Sequence, residues 1–273
     1  MKTFMLLAGM LLFINNIIGL FLPLRNEEIY HEKHTGFEKD ITLTEEQLYK
    51  VINADIANSE KYILQLNEAI NKGIAHYWND NGIDRYNLRV PIYENYLLYF
   101  ASYIYPKIFR KYEYSHYNKA IERGIGLCSQ HAIIISEILN EKGIESKIIR
   151  LSGHVVSTAL VNKEKNLWWI LDPDYGVIIK ADISKVEDNP EIIRNYYQNN
   201  GFDKNTVENL INIYDKDGNT VIDSVRSVSQ ITSYAFNYYV EIFTYIVIWI
   251  FPIWLMTPYL ISLRRKYCSC RKT

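Results

Sequence analysis

The chain has 273 residues, 48% hydrophobic and 22% charged, which supports a folded core and excludes wholesale disorder. Its formal charge of −1 conceals a division: all 31 acidic residues but only 23 of the 30 basic ones lie between positions 26 and 263, leaving that stretch at −8. So acidic a region lacks the electrostatic footprint of a nucleic-acid binder, and no nucleic-acid partner is expected.

Residues 1–25 form the first element. Phe4 to Leu24 is nearly all apolar, interrupted by Asn15 and Asn16. At 1.5 Å per residue it extends ~31 Å, enough to cross a bilayer's hydrocarbon core. Lys2 also suits the start of a secretory signal, but no small-residue cleavage site comes after the apolar run. An uncleaved anchor and a cleaved signal both remain open, and either sends the downstream region across a membrane.

Three helical stretches come next. Thr44 and Gln47 have capping-box spacing ahead of Leu48, Val51, Ile52 and Ile56. A second stretch runs from about Lys61 to Ile74, and a third covers 91–105 and stops at Pro106. Alternation replaces the helical period between 144 and 180, which makes residues 26–235 an α+β region, read as one extracytoplasmic domain.

Asp215, Asp217 and Asn219 have the spacing of a calcium loop. However, Thr220 stands where that loop needs glycine, and Arg226 where it needs the bidentate glutamate. The stretch reads as a turn between two strands, and no metal or cofactor is expected.

Residues 236–263 contain the second apolar element. Ile242 to Leu263 carries no charge, has Trp249, Trp254 and Tyr259 suited to the membrane interface, and contains Pro252 and Pro258. A buried core helix is the alternative reading. The tail 264–273 holds Arg264, Arg265, Lys266, Arg271 and Lys272, which by the positive-inside rule places it in the cytoplasm. Two spans then put both termini on the cytoplasmic side and the domain in a periplasmic or cell-surface compartment. Of three cysteines, only Cys128 is in the domain, which therefore holds no internal disulfide. Cys268 and Cys270 form a Cys-x-Cys pair beside the basic run.

The chemistry centres on Arg123-Gly-Ile-Gly-Leu-Cys128-Ser-Gln-His131-Ala132. An apolar helical pattern starts here and closes at Lys142-Gly143, so Cys128 sits at or near a helix N-terminus, where the dipole and unpaired N–H groups favour a thiolate. A structural cysteine fits the same place. Next, Ile144–Leu151 reads as a strand, and His154 opens a hairpin that returns as Leu167–Asp172. The polar turn is centred on 164 and the midpoint of His154 and Asp172 on 163, so the two lie opposite or nearly so, on one face. Asp174 has the same parity and replaces Asp172 if the register slips by two. In this arrangement His154 takes the thiol proton, Asp172 fixes the imidazole, and the thiolate attacks a carbonyl. His131, one turn beyond Cys128, is a supporting group. His76 and His116 look isolated and suited to the surface, and His31 and His34 lie in a polar segment.

Together the Arg123–Ala132 segment, Gly153-His154-Val-Val and Trp168-Trp-Ile-Leu-Asp172-Pro-Asp-Tyr-Gly176 resemble the three motifs of transglutaminase-like proteins. The resemblance covers about residues 90–185. It implies a papain-like core, in which a cysteine-bearing helix packs on an antiparallel sheet, with Cys128, His154 and Asp172 as the catalytic triad. It also implies an upstream oxyanion-hole side chain, for which Asn95 and Tyr96 lie in a plausible region. The expected activity is that of a membrane-anchored cysteine enzyme acting on amide or peptide bonds of a protein or peptide substrate. A catalytically silent binding or assembly module in the cell envelope is the alternative.

Overall fold

The computed structural model describes residues 1–30, 41–77, 80–215, 219–227 and 233–270. It is α+β and forms two compact units. One contains Met1–Leu24, Ile83–Tyr112 and Tyr239–Thr273; the other contains Arg25–Gly82 and Glu113–Tyr238. Segment 83–112, read from the sequence as part of the exported domain, therefore belongs with the two terminal apolar segments. His31 and His34 lie outside the described residues.

Two helices are long and apolar enough to cross a membrane: Lys2–Gly19, in the first unit, and Ser233–Cys270, which belongs to that unit from Tyr239 onward. Phe4, Leu11, Ile250 and Trp254 are all more than half exposed, whereas a core helix would bury such side chains. The helices meet closely at Gly9, where an added Cβ would come within 2.7 Å of the Pro252 carbonyl oxygen. Pro252 has no N–H, so the Ile248 carbonyl four residues earlier loses its helical donor. Asn16 supplies one: its Nδ2 donates to the Ile248 oxygen at 2.6 Å. The adjacent Asn15 donates to the Ile92 carbonyl at 2.9 Å. The two asparagines that interrupt the apolar run thus both serve backbone acceptors, Asn16 a buried one and Asn15 an exposed one.

The second unit is built on a sheet. Its strands are β1 (Ala75–His76), β2 (Ile125–Gly126), β3 (Ser146–Arg150), β4 (Val155–Asn162), β5 (Leu167–Asp172), β6 (Val177–Ile179) and β7 (Thr220–Ile222). The last five form an antiparallel sheet in the order β6-β5-β4-β3-β7, while β1 and β2 pair parallel as a separate two-residue bridge. Both faces of the larger sheet are covered. Ile149, Val156, Ile170 and Val177 pack on Val186, Tyr197, Leu210 and Tyr214 from helices Ile183–Asp188, Arg194–Asn199 and Lys204–Tyr214. On the opposite face, Ile148 and Ile222 pack on Ala132 and Ile133 of the helix Cys128–Glu141. Neighbouring Ile148 and Ile149 thus serve different cores, as the two-residue period of a strand requires.

The predicted capping box forms: the Thr44 hydroxyl accepts from the Gln47 N–H at 3.3 Å, and the Gln47 side chain accepts from the Thr44 N–H at 2.9 Å. The other predicted helices are found as Ser59–Gly73 and Ile92–Ile104. The candidate calcium loop lies partly outside the described residues. Its flanks correct the sequence reading, since the helix Lys204–Tyr214, rather than a strand, precedes it.

Asn16→Leu is expected to destabilise the helix pair by about 0.6–1 kcal/mol, the usual worth of such a bond in a membrane. Pro252→Ala returns a helical donor to Ile248 and should remove most of that penalty. A double-mutant cycle on thermal unfolding of the detergent-solubilised chain measures the coupling; equal Asn16→Leu penalties in both backgrounds would contradict it.

Candidate functional site

The segment leading to Cys128 is held at several points. Gly124 ends the preceding helix with φ of 73°, a left-handed cap that glycine adopts without strain. The Arg123 side chain is fully buried: its Nε donates to the Ile125 carbonyl at 2.9 Å, and its Nη2 donates to Gln130 Oε1 at 3.0 Å. Gln130 also exchanges hydrogen bonds with the Tyr114 backbone in both directions. At Gly126 an added Cβ would meet the Gln130 Cβ at 2.4 Å, so a side chain there would push the turn off the helix. Cys128 is the first residue of that helix and partly exposed; the N-cap, Leu127, provides no side-chain cap.

His154 comes after the exposed Ser152-Gly153 turn and is itself buried. Its Nε2 donates to Asp172 Oδ2 at 2.9 Å, and the Cys128 sulfur lies within 4.8 Å of a ring nitrogen. Ser157 pairs with Leu171, and carrying this register on puts Val156 across from Asp172. His154 therefore reaches Asp172 diagonally, two positions from direct opposition, and the strands still present both side chains on one face. Burial opposes the charged imidazole, but the Asp172 carboxylate and the thiol outweigh it and hold His154 well above its ordinary value.

Asp172 is fully buried and takes three donors. Besides His154, the Tyr197 hydroxyl donates to Oδ2 at 2.6 Å and the Tyr175 N–H to Oδ1 at 3.2 Å. Tyr214 lies against Tyr197 at 3.3 Å between hydroxyls. Burial, then the Asp172 charge, push both phenols well above the usual range, so both stay protonated. The Tyr175 ring meets His154 edge-on at 5.3 Å. The sequence reading missed Tyr197 and Tyr214. For Tyr214 a signal existed: Asp203 caps a helix with Val207, Leu210, Ile211 and Tyr214 buried along it.

A second buried carboxylate, Asp174, lies beside the first group. One of its oxygens, the Cys128 sulfur and a His154 ring nitrogen lie within 4.8 Å of one another. His76 Nδ1 hydrogen-bonds Asp174 Oδ1, and His131 Nδ1 is 3.6 Å from the same oxygen. His76 is buried, which corrects its surface reading: the β1–β2 bridge pairs it with Gly126, on the loop entering the cysteine helix. His116 is exposed and stacks on Tyr238. His131 Nδ1 and Nε2 face the carbonyls of Leu127 at 2.9 Å and Ile74 at 3.0 Å. Burial would raise the Asp174 carboxyl, but the His131 and His76 rings outweigh it and hold it below the usual carboxylate range. Burial lowers His76, which matches a neutral ring donating to an ionised Asp174. From above, Asn71 Nδ2 donates to the Asp174 carbonyl at 3.1 Å and packs against Gly176, where φ is 69°.

Asn95 and Tyr96 belong to the first unit, and their polar groups are engaged there. Asn95 bonds Thr244 Oγ1 at 3.1 Å, and the Tyr96 hydroxyl donates to the Ile248 carbonyl at 3.4 Å. Compared with family models, curated proteins and solved structures, the chain matches none of them.

The His154 ring is expected to titrate above 6.5 and to drop in Asp172→Asn, where burial meets less opposition. Imidazole NMR resonances read both values; a wild-type titration at or below 6.5 would contradict the pairing. Because the folded value exceeds the unfolded one, the pair's contribution to stability is full below about 6.5 and is lost as pH rises through the folded value.

Proposed function

We propose that this chain is a membrane-anchored cysteine enzyme of transglutaminase-like type, acting on amide or peptide bonds of an extracytoplasmic protein or peptide. The observation carrying this reading is the Cys128–His154–Asp172 chain: a partly exposed thiol at a helix N-terminus, within 4.8 Å of a nitrogen of a buried imidazole that is bonded through Nε2 to a buried carboxylate. With Nε2 on Asp172, Nδ1 is left to serve the thiol.

In this mechanism His154 holds, as imidazolium, the proton that Cys128 has given up, and the sulfur attacks the substrate carbonyl. The N–H of Cys128, in the first turn of a helix without a side-chain cap, donates to the developing oxyanion. Collapse of the tetrahedral intermediate breaks the C–N bond. His154 passes its proton to the departing amine, leaving a thioester on Cys128. Water, activated by the again neutral His154, then releases the acid and restores the thiol. Hydrolysis is favoured over amine transfer because water is abundant and no amine-binding group was legible in the sequence. Asp172, positioned by Tyr197, keeps the ring oriented through both half-reactions.

The two apolar helices and the basic residues from Arg264 onward support placing both termini in the cytoplasm and the site-bearing unit outside it.

The test uses the full-length chain in detergent with Cys268 and Cys270 replaced by serine. Incubation with a peptide-amide library, followed by mass spectrometry, is expected to find an acyl adduct on Cys128. His154→Ala should lower turnover by about 10²–10⁴-fold, the usual effect of losing a general base. No adduct with any amide, together with Cys128 alkylation indifferent to His154→Ala, would sink the enzyme reading and favour a binding module.

A further inference from the structure

We propose that Cys128, His154 and Asp174 form a binding site for a thiophilic divalent cation, zinc, and that the bound ion blocks the thiol chemistry proposed above. The sequence reading expected no metal. The inference uses two of the same side chains as the proposed reaction but not its outcome, since a site can hold zinc whether or not it cleaves amides.

Three features support it. The set of donors is a thiol sulfur, an imidazole nitrogen and a carboxylate oxygen, all within 4.8 Å of one another. Zinc bonds of about 2.0–2.3 Å in a tetrahedron require ligand atoms roughly 3.3–3.7 Å apart. Closing the remaining gap takes side-chain movements of about an ångström. Three protein ligands leave the fourth position to water, as at sites with an exchangeable ligand.

Second, Asp174 Oδ2 is buried and has no hydrogen-bond partner among the described residues. A buried carboxylate oxygen left in this state is costly. A cation coordinated by it would remove that cost.

Third, the surrounding groups already support a metal. A zinc-bound histidine characteristically gives its other N–H to a carboxylate, and His154 gives Nε2–H to Asp172. The Asp174 carboxylate is likewise bonded by His76 through Oδ1. Cys128 is partly exposed, while His154 and Asp174 are buried, so an ion enters from the thiol side.

The neighbouring cluster His76, His131 and Asp174 is equally compact, but both His131 nitrogens are already engaged with backbone carbonyls, so that ring would have to give up a contact to bind an ion. Binding at Cys128 releases the thiol proton, and the imidazole proton where present, to solvent as the Zn–S and Zn–N bonds form. Nucleophile and base are then both occupied.

The experiment uses metal-stripped full-length chain in detergent with Cys268→Ser and Cys270→Ser, removing the other thiols that take zinc. Zinc chloride is titrated against a chromophoric chelator, and cobalt(II) serves as the spectroscopic probe. One equivalent of zinc should bind. Affinity should fall at least ~10-fold in Asp174→Asn and ~100-fold in Cys128→Ser. Cobalt should give a thiolate charge-transfer band that Cys128→Ser abolishes. With the three ligands intact, zinc should protect Cys128 from iodoacetamide until EDTA is added, a readout that does not depend on a variant folding. Absence of both the bound equivalent and the protection overturns the proposal, as does binding that neither Cys128→Ser nor Asp174→Asn weakens. His154-dependent alkylation without zinc binding leaves the enzyme reading standing and removes only this one. Zinc binding without any acyl adduct does the reverse.

Discussion

A carboxylate taken wholly out of water must have its charge met by donors, and the packing around Asp172 is a consequence of that requirement. The side chain has no exposure, and its donors come from three places: the turn before β4, the turn after β5 and the helix Arg194–Asn199. None of these elements can shift without leaving a buried charge short of a partner. The imidazole is oriented as a result, since a ring whose Nε2 is fixed has its Nδ1 direction fixed as well. The thiol needs only to be delivered to that nitrogen, and the buried Arg123–Gln130–Tyr114 network sets the turn that does so.

Two residues further on, Asp174 meets that requirement at Oδ1 alone. Its partners are histidines from the N-terminal half of the unit, His76 beside the Gly126 loop and His131 inside the cysteine helix. The two carboxylates thus hold opposite sides of one site. Asp172 ties the hairpin to the C-terminal helices, while Asp174 ties it to the helix bearing the thiol. Pro173 between them and Gly176 after them let one short turn serve both.

Much of this was legible. The helix after Cys128 and the hairpin carry strong periodic patterns. Centring the polar turn on 164 was enough to place His154 and Asp172 on the same face, even though they meet diagonally rather than directly. What was hidden shares a physical cause: the contacts are long-range and leave no local pattern. His76 reaches Asp174, 98 positions away, through a two-residue parallel bridge that no sequence period announces. Tyr197 is one of 23 tyrosines, and its helix has only six residues, too few to show an apolar stripe. Asn95 and Tyr96 were plausible by chain order alone, but they lie in the compact unit of the terminal helices and bond Thr244 and Ile248 there. Asn16 looked like a blemish in an apolar run, and its role follows from Pro252, which leaves the Ile248 carbonyl in need of a donor.

The parallel bridge at His76 also bears on how the protein is made. The groups around Cys128 are drawn from position 76 to position 214, so no short fragment of the unit contains them all. During synthesis the cysteine helix emerges well before the hairpin that brings the imidazole, and the helix bearing Tyr197 comes later still. Closing such distant pairs costs chain entropy before any contact offsets it, which makes their formation a late step. The nascent thiol is consequently without its base until the hairpin has been made and has folded onto the cysteine helix. The arrangement of thiol, imidazole and carboxylates therefore exists only in the completed fold.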